Sequence, residues 1–257
     1  MKIIFWNVCK KDSNVKLLLK HAKKHNIDIV LVCEMPLDHD DNYEDYELVI
    51  QSEKFNDVFA YKRKSINLSS PCKDNTGYST FILDSKKLNI FAVHFNSKTY
   101  QENEHYSRDQ VNDLTRFVPQ IEKDYSSRSV VIGDFNANIL DSDIFSKETL
   151  GVTYFKKYFK KCKYKFNEKE KDFFYSPSLD TYCNKNSSRQ TPATYYYDSG
   201  LYKWAFIDNL LLNFDAYKKY VKNSFKIVYS LCDTQLVSNG KILNQYSDHL
   251  PIYFEIR

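Results

Sequence analysis

The sequence predicts a mixed α/β domain. The chain opens with an apolar run at Ile3–Trp6, a helical pattern between Asn14 and His25, and a second apolar run at Ile27–Cys33. A strand, a helix and a buried strand in this order are typical of a βαβ unit with parallel strands. Apolar runs of strand length recur to the end of the chain, and no linker rich in Pro, Gly and Ser separates them. We therefore expect one domain over residues 1–257.

Composition is compatible with a large core and a polyanionic partner. Of the 257 residues, 42% are hydrophobic and 16% aromatic, which is enough to build a sizeable interior. The formal charge of +4 weakly favours nucleic acid or another anionic partner. None of the six cysteines forms a Cys-x-x-Cys pair, so zinc-ribbon and redox motifs are excluded, and Cys33 is expected to be a buried thiol.

The chain shows no targeting signal that we can identify. Its N-terminal apolar run is too short for a signal peptide, and no stretch approaches the roughly 20 apolar residues of a membrane span. These observations predict a cytoplasmic protein.

The remaining elements follow from local patterns. Strands are predicted at Tyr46–Ile50, Val58–Tyr61, Tyr78–Leu83, Leu88–His94, Ser129–Gly133, Phe206–Leu212 and Leu250–Ile256. A helix is predicted from about Glu104 into Phe117, and Pro119 should end or kink it. The stretch from Asp141 to Leu201 is irregular and is interpreted as a long surface excursion, with a Lys-rich helical face within Tyr154–Phe166.

Acids, amides and imidazoles cluster where the predicted strands end. Asn7 and Glu34 follow two strands that should be neighbours, and Asp134 with Asn136 follows the strand Ser129–Gly133. Asp208 interrupts an apolar run, where a carboxylate needs a partner such as a histidine. The pair Asp248-His249 precedes the last strand. Oxygen ligands of this kind suit Mg²⁺ or Mn²⁺ rather than zinc, and they supply the parts that phosphodiester hydrolysis requires.

These residues, in order, resemble the motifs of the endonuclease/exonuclease/phosphatase superfamily, which includes deoxyribonuclease I. The resemblance rests on Phe-Trp-Asn-Val around Asn7, Glu34, His94, Gly133-Asp134-Phe135-Asn136, Phe-Ile-Asp-Asn-Leu-Leu around Asp208, and Ser247-Asp248-His249. It spans almost the whole chain. It implies a four-layer α/β/β/α sandwich with two packed mixed β-sheets and a site at one end of the sheets.

The resemblance also implies a role for each residue. Glu34 corresponds to the main metal ligand, supported by Asn7 and Asp248. Asp134 and Asn136 correspond to groups that orient or deprotonate the attacking water and hold the phosphate. Asp208 and His249 correspond to an Asp–His pair, in which His249 is a general base or a donor to the phosphoryl oxygens.

His94 and several departures from the family pattern indicate which branches of the superfamily this sequence resembles. His94 matches the histidine that nucleases of the deoxyribonuclease I type place near the leaving group, although a satisfied core histidine is the alternative. Phe206 stands where many members carry arginine. The motifs expected of inositol 5-phosphatases are missing.

Two further groups are candidates for substrate binding. Lys156, Lys157, Lys160 and Lys161 could contact a phosphate backbone, or they could form an ordinary solvated helix face. The aromatic residues Tyr195-Tyr196-Tyr197 and Trp204 resemble a stretch that nucleases of this family place before the Asp208 strand, and they could stack on an unpaired base or could pack in the core as a strand.

Three functions remain open on the sequence alone. The first is a metal-dependent nuclease acting on DNA or RNA. The second is a phosphatase or phosphodiesterase acting on a lipid headgroup or a small phosphorylated molecule. The third is a catalytically inactive binding module that kept the fold. The complete set of acids, amides and imidazoles argues against the third, and the basic balance favours the first over the second.

Overall fold

A computed structural model describes residues 1–36, 43–49, 58–71, 77–97, 103–138, 141–159, 163–166, 169–179, 193–199 and 203–257. The strands in chain order are β1 (Lys2–Asn7), β2 (Ile29–Cys33), β3 (Tyr46–Leu48), β4 (Val58–Arg63), β5 (Tyr78–Leu83), β6 (Leu88–His94), β7 (Ser129–Asp134), β8 (Val152–Thr153), β9 (Lys163–Phe166), β10 (Lys169–Asp172), β11 (Phe174–Tyr175), β12 (Tyr195–Tyr196), β13 (Trp204–Ala205), β14 (Asp208–Leu212), β15 (Lys226–Ile227), β16 (Ser230–Leu231), β17 (Thr234–Gln235), β18 (Val237–Ser238), β19 (Lys241–Ile242) and β20 (Ile252–Glu255).

Two long helices and three short ones accompany these strands in the described part of the chain. They are α1 (Asp12–His25), α2 (Asn103–Asp124), α3 (Ser142–Phe145), α4 (Lys156–Phe159) and α5 (Phe214–Tyr217). None of these helices combines the length and the apolar composition that a membrane crossing requires.

The first mixed sheet has the strand order β15-β20-β1-β2-β4-β3. Strands β1 and β2 are parallel, and Asn7 is aligned with Cys33, so the predicted βαβ unit is confirmed. The carboxyl ends of β1 and β2 therefore lie at one edge of the sheet, where Asn7 and Glu34 emerge together. The C-terminal strand β20 runs antiparallel to β1 on its other side.

The second mixed sheet has the strand order β5-β6-β7-β14-β11-β8. Parallel pairing of β6 with β7 aligns His94 with Asp134, and antiparallel pairing of β7 with β14 aligns Asp134 with Asp208. Three predicted site residues thus lie side by side at one end of this sheet because of register alone.

The two sheets and the two long helices form the layers. One core cluster joins residues of both sheets and of α1, including Phe5, Leu18, Ile90 and Leu210. A second cluster joins α2 to the other face of the second sheet through Val111 and residues such as Phe91. Burying apolar faces against each other supplies the main driving force for this arrangement. The layers agree with the predicted α/β/β/α sandwich.

Helix α2 does not end at Pro119, which corrects one expectation. The helix continues to Asp124 with Pro119 inside it. Val118 and Ile121, on either side of the proline, are each 4% exposed. Burial of these side chains against the second sheet offsets the missing backbone hydrogen bond.

The segment after Asp141 is more ordered than predicted. Strands β8 and β11 extend the second sheet, and Phe174 and Tyr175 are buried in the two cores. Within the described residues of Tyr154–Phe166, Lys156–Phe159 forms the single turn α4, and Lys163–Phe166 forms a strand instead. Phe155, expected on the apolar face, is 64% exposed. Pairing of β9 with β10 overrides the helical periodicity there.

Candidate active site

The predicted acids and amides converge at one end of the two sheets. The Asn7 amide nitrogen donates to Glu34 Oε1 at 3.0 Å and to Asp134 Oδ2 at 3.2 Å, so it joins residues of both sheets. The side-chain oxygen of Asn7, Oδ1, accepts a hydrogen bond from the Cys9 backbone amide. In this orientation Asn7 holds two carboxylates through its amide nitrogen. Its role as a metal ligand stays a prediction.

His249 lies between two buried carboxylates. Its Nδ1 is 3.0 Å from Asp208 Oδ2, and its Nε2 is 3.7 Å from Asp134 Oδ2. Nε2 is also 4.0 Å from Asp248 Oδ1. His249 is therefore the histidine partner that the sequence predicts for Asp208, and the expected contact is confirmed.

Burial and charge act in opposite directions on this pair. Burial lowers the pKa of His249, but the charges of Asp208, Asp134 and Asp248 overcome that effect and raise the pKa above its ordinary value. Burial raises the pKa of Asp208, whereas the neighbouring imidazole lowers it. The carboxylates thus favour the imidazolium, which is the form that can donate a proton or a hydrogen bond to a phosphoryl oxygen.

Several buried contacts fix the position of His249. The Trp6 indole nitrogen donates to the backbone carbonyl of His249 at 2.9 Å. The Ser247 hydroxyl donates to the carbonyl of Asn7 and accepts from the backbone amide of His249. Because each of these groups is buried, the loop before β20 is anchored to the end of β1.

His94 belongs to the same constellation. Its Nε2 lies 3.6 Å from Glu34 Oε1 and 4.0 Å from Asp134 Oδ2, and its side chain is 23% exposed. The structure therefore brings His94 to the candidate site, and the catalytic role implied by the resemblance stays a prediction.

Asn136 and Glu34 adopt backbone conformations that L-residues seldom occupy. Their φ angles are +47° and +49°. Asn136 is held by its backbone amide, which donates to Asp134 Oδ1 at 2.8 Å, and by its side-chain amide, which donates to the Phe95 carbonyl at 2.7 Å. Other residues of the described chain, among them Asn26 and Lys87, also adopt positive φ, so here it is the hydrogen bonds of Asn136 that tie it to the site.

The donor set was tested for its fit to a divalent cation. The ligand atoms of Asp134, Asp208 and His249 lie within 4.8 Å of one another, but all three residues are buried. The side chains of Glu34 and Asp248 are 31% and 39% exposed. Magnesium keeps several water molecules when it binds, and the closed trio leaves little room for them. Glu34 and Asp248, which are more open, stay the predicted ligands.

Lys156 and Lys157, the two predicted lysines among the described residues, lie away from this constellation. The Lys156 ammonium lies over the ring of Tyr175, and Tyr175 pairs with Leu212, at the end of β14 opposite to Asp208. Four residues of extended strand correspond to about 13 Å. Lys157 is in the same helical turn, and Lys160 and Lys161 lie outside the described residues.

The aromatic candidates are divided between the core and the site. Tyr196 is 4% exposed, and its ring packs at 4.8 Å from that of Trp204 across the paired strands β12 and β13. For these two residues the structure shows the alternative of a packed strand. Tyr195, the first residue of the same stretch, has its ring 4.8 Å from that of His249.

Sequence reasoning missed the contacts that Thr194 and Tyr195 make. The Thr194 hydroxyl accepts a hydrogen bond from the Asp208 backbone amide. Tyr195 forms an antiparallel bridge with His249, and burial raises the pKa of its phenol to about 12. Strand alternation could have indicated that Tyr195 and Tyr196 face opposite sides, but only the pairing with residues 248–250 shows which side is the site.

Comparison with known proteins supports the same architecture. No family model matches the sequence, and no curated protein matches it. Among solved structures, the 3′ phosphatase NExo from Neisseria, bound to a product DNA hairpin, has a TM-score of 0.57 and 16% identity over 100% of this chain and 99% of its own. The catalytic domain of Xenopus laevis APE2 has a TM-score of 0.61 and 14% identity over 100% of this chain and 91% of its own.

An AP endonuclease from Archaeoglobus fulgidus gives a similar result, with a TM-score of 0.57 and 12% identity over 100% of this chain and 99% of its own. This chain has the deoxyribonuclease-I-like fold. The fold that the motif resemblance implies is confirmed. At these identities the similarity concerns the fold, and function has to be argued from the site.

Proposed function

We propose that this protein is a metal-dependent phosphodiesterase, and specifically a nuclease that hydrolyses phosphodiester bonds in DNA or RNA with an activated water molecule. The observation that carries the proposal is the Asn7 amide, which joins Glu34 to Asp134 across the two sheets while His249 lies between Asp134 and Asp208. An acid, an amide and an imidazole thus surround one point, as a phosphoryl-transfer site requires.

The chain's own residues would divide the work as follows. Asp134 orients the attacking water and accepts its proton, and the Asn136 backbone amide fixes one oxygen of that carboxylate. His249, held by Asp208, donates to a phosphoryl oxygen in its charged form. His94 faces Glu34 and Asp134 and would approach the leaving oxygen.

A bound Mg²⁺ or Mn²⁺, held by Glu34 and Asp248 with help from Asn7, would supply charge neutralisation for the phosphoryl oxygens. These ligands are hard oxygen donors, and the two carboxylates are partly open to solvent. The solved structures with this fold include proteins described as a 3′ phosphatase bound to DNA, an exonuclease and an AP endonuclease. Their described activities are consistent with nucleic acid as the substrate.

The test is a cleavage assay with substrates that separate the two enzyme classes. Plasmid, single-stranded DNA, RNA and a panel of phosphorylated small molecules are incubated with Mg²⁺, with Mn²⁺ and with a chelator. His249→Ala and Asp134→Asn should lower the rate of polymer cleavage about a hundredfold or more. Matched controls are His25→Ala and Asp233→Ala, because both residues are exposed and lie outside the site.

Each outcome has a distinct meaning. Polymer cleavage that needs the metal and both site residues supports the nuclease. Phosphate release from small molecules with intact polymers would instead establish the phosphatase. Activity that survives in both site variants would contradict the proposed site.

A further inference from the structure

A cavity of about 550 Å³ adjoins the candidate site on the side of Asp248. Its walls come from three parts of the chain: Cys9 after β1, residues Tyr196–Ser199 after β12, and Asn244 with Asp248 before β20. Its volume falls within the range of about 300–1,000 Å³ that is common for small-ligand sites. Because Asp248 belongs to both places, a group in this cavity would be a direct neighbour of the reacting phosphate.

The wall formed by Tyr197 and Asp198 is held in place by several contacts. The Tyr197 backbone amide donates to the Lys203 carbonyl at 2.8 Å. Asp198 accepts from the Tyr196 hydroxyl at 2.7 Å, and the ammonium groups of Lys203 and Lys241 each lie 3.2 Å from it. Asp198 thereby connects the β12–β13 pair to the β18–β19 pair. A wall braced in this way needs little reorganisation when a ligand binds.

The charge of the cavity disfavours a phosphate. Among the described residues that line it, two are carboxylates and none is basic. The nearby ammonium groups contact other partners: Lys203 and Lys241 pair with Asp198, and Lys11 donates to the Asn244 backbone carbonyl at 2.8 Å. The described lining thus offers a phosphate no basic partner, so an uncharged group fits this cavity better.

The remaining lining matches a flat, uncharged heterocycle. Tyr197 is 55% exposed, which makes its ring available for stacking. The Asn244 amide and the Ser199 hydroxyl offer both donors and acceptors to the edge of a ring. Stacking on an aromatic side chain combined with polar contacts to the edge is how proteins bind unpaired bases.

We propose that this cavity is a subsite for one unstacked nucleobase, adjacent to the phosphate that is cleaved. The inference rests on the proposed nuclease function and adds that the enzyme reads the strand as an unpaired segment or end. Tyr197 supplies the stacking surface, and Asn244 and Ser199 contact the base edge.

The test compares Tyr197→Ala with Tyr197→Phe on single-stranded oligonucleotides that contain one cleavable phosphodiester. Parallel substrates lack the base on the 5′ or on the 3′ side of that bond. On the intact substrate, Tyr197→Ala should raise KM about tenfold or more, and Tyr197→Phe should stay close to wild type. On the substrate that lacks the stacked base, wild type and Tyr197→Ala should be equal, because the interaction is already gone.

Tyr125→Ala is the matched control, because Tyr125 is another exposed tyrosine, 49% exposed, which follows α2 at the end of β7 opposite to Asp134. Failure of wild type to cleave any oligonucleotide would refute the proposed function. Cleavage by wild type with an equal effect of Tyr197→Ala on intact and base-lacking substrates would refute the subsite alone. Unchanged KM in Tyr197→Ala on the intact substrate would also overturn it.

Discussion

At the scale of single residues, the proposed reaction depends on the contact between Asp208 and His249. Both are buried, and Nδ1 of the imidazole lies 3.0 Å from the carboxylate. A buried charge without a partner is costly, so the pair stabilises the charged imidazole and fixes which nitrogen faces Asp134. The Thr194 hydroxyl and the Trp6 indole hold the backbone of the two partners.

Asp208→Asn should separate the charge of this carboxylate from its shape. The substitution keeps an oxygen acceptor for Nδ1 but removes the negative charge that raises the pKa of His249. We expect cleavage to fall about a hundredfold or more. The apparent pKa that His249 contributes to the pH–rate profile should move to lower pH, because the imidazole loses its proton more easily without the charge.

A pH–rate profile of wild type and Asp208→Asn measures both effects. The shift is expected for either role of His249, because a base and a donor depend on the same pKa. A circular dichroism spectrum and a thermal melt serve as controls for folding. A lower rate with an unchanged apparent pKa would contradict the claim that the charge of Asp208 raises the pKa of His249.

Residue patterns predicted the acids better than the aromatics. Asn7, Glu34, Asp134, Asp208, Asp248 and His249 could be selected because polar residues at the ends of apolar strands are conspicuous in the sequence. Tyr195 could not be separated from Tyr196 in the same way. Its place beside His249 is set by a bridge between residues 54 positions apart, and no local pattern records that bridge.

At the scale of the elements, the close approach of β6 and β7 positions His94 beside Asp134. Gly133 lies one residue before Asp134, and its φ angle of +147° is unfavourable for other residues. A Cβ atom at this position would lie 2.0 Å from the Val93 carbonyl oxygen. The parallel strands therefore reach this distance only with glycine at the position.

Gly133→Ala should disturb both stability and activity. We expect the free energy of unfolding to fall by about 2–3 kcal/mol or more, because a backbone atom of the neighbouring strand has to move. Cleavage should also fall, since the displaced strand carries His94. Urea unfolding and the cleavage assay measure the two effects.

Gly240→Ala is the control for this substitution. Gly240 also has a positive φ, +71°, but an added Cβ would meet nothing within 4 Å. It should therefore show the cost of the backbone conformation without the clash, about 1 kcal/mol. Equal losses in the two variants would show that crowding between β6 and β7 is unimportant.

The elements themselves were predictable where local periodicity and tertiary packing agree. β1, α1 and β2 follow their sequence patterns, because the two apolar strands are buried along nearly their whole length and α1 buries one apolar face. Pro119 misled the prediction, because the signal for a helix end is local while the stabilising contacts of Val118 and Ile121 are tertiary. The Tyr154–Phe166 pattern failed for the same reason, since strand pairing competes with a helix there.

At the scale of the whole molecule, the half-buried carboxyl of Glu122 connects the outer helical layer to the end of the second sheet. Glu122, in the last turns of α2, accepts a hydrogen bond from the Asn213 side chain at 2.7 Å. Asn213 also donates to the Ser127 carbonyl, and its oxygen accepts from the Ala216 amide at the start of α5. Burial raises the pKa of Glu122 to about 7, although hydrogen bonds from Ser129 and Asn213 oppose that effect.

This raised pKa predicts how global stability changes with pH. In the unfolded chain the Glu122 carboxyl loses its proton near its ordinary value of 4.5. Between pH 4.5 and about 7 the folded protein therefore binds more protons at Glu122 than the unfolded chain, so its contribution to the free energy of unfolding falls as pH rises. The loss is complete above the folded pKa.

Glu122→Gln should remove this loss, because the amide oxygen still accepts from Asn213 and no charge is buried. As pH rises from 5 to 8, the free energy of unfolding of the variant should increase by about 1–2 kcal/mol relative to that of wild type. Urea unfolding of both proteins at the two pH values measures this gain. The other titrating groups contribute equally to both proteins, so they cancel when the two free energies of unfolding are subtracted. Glu148→Gln, at an exposed glutamate, controls for the substitution itself. If the stability of Glu122→Gln runs parallel to that of wild type from pH 5 to pH 8, the half-buried carboxyl does not titrate with unfolding, and the pH dependence must come from other groups.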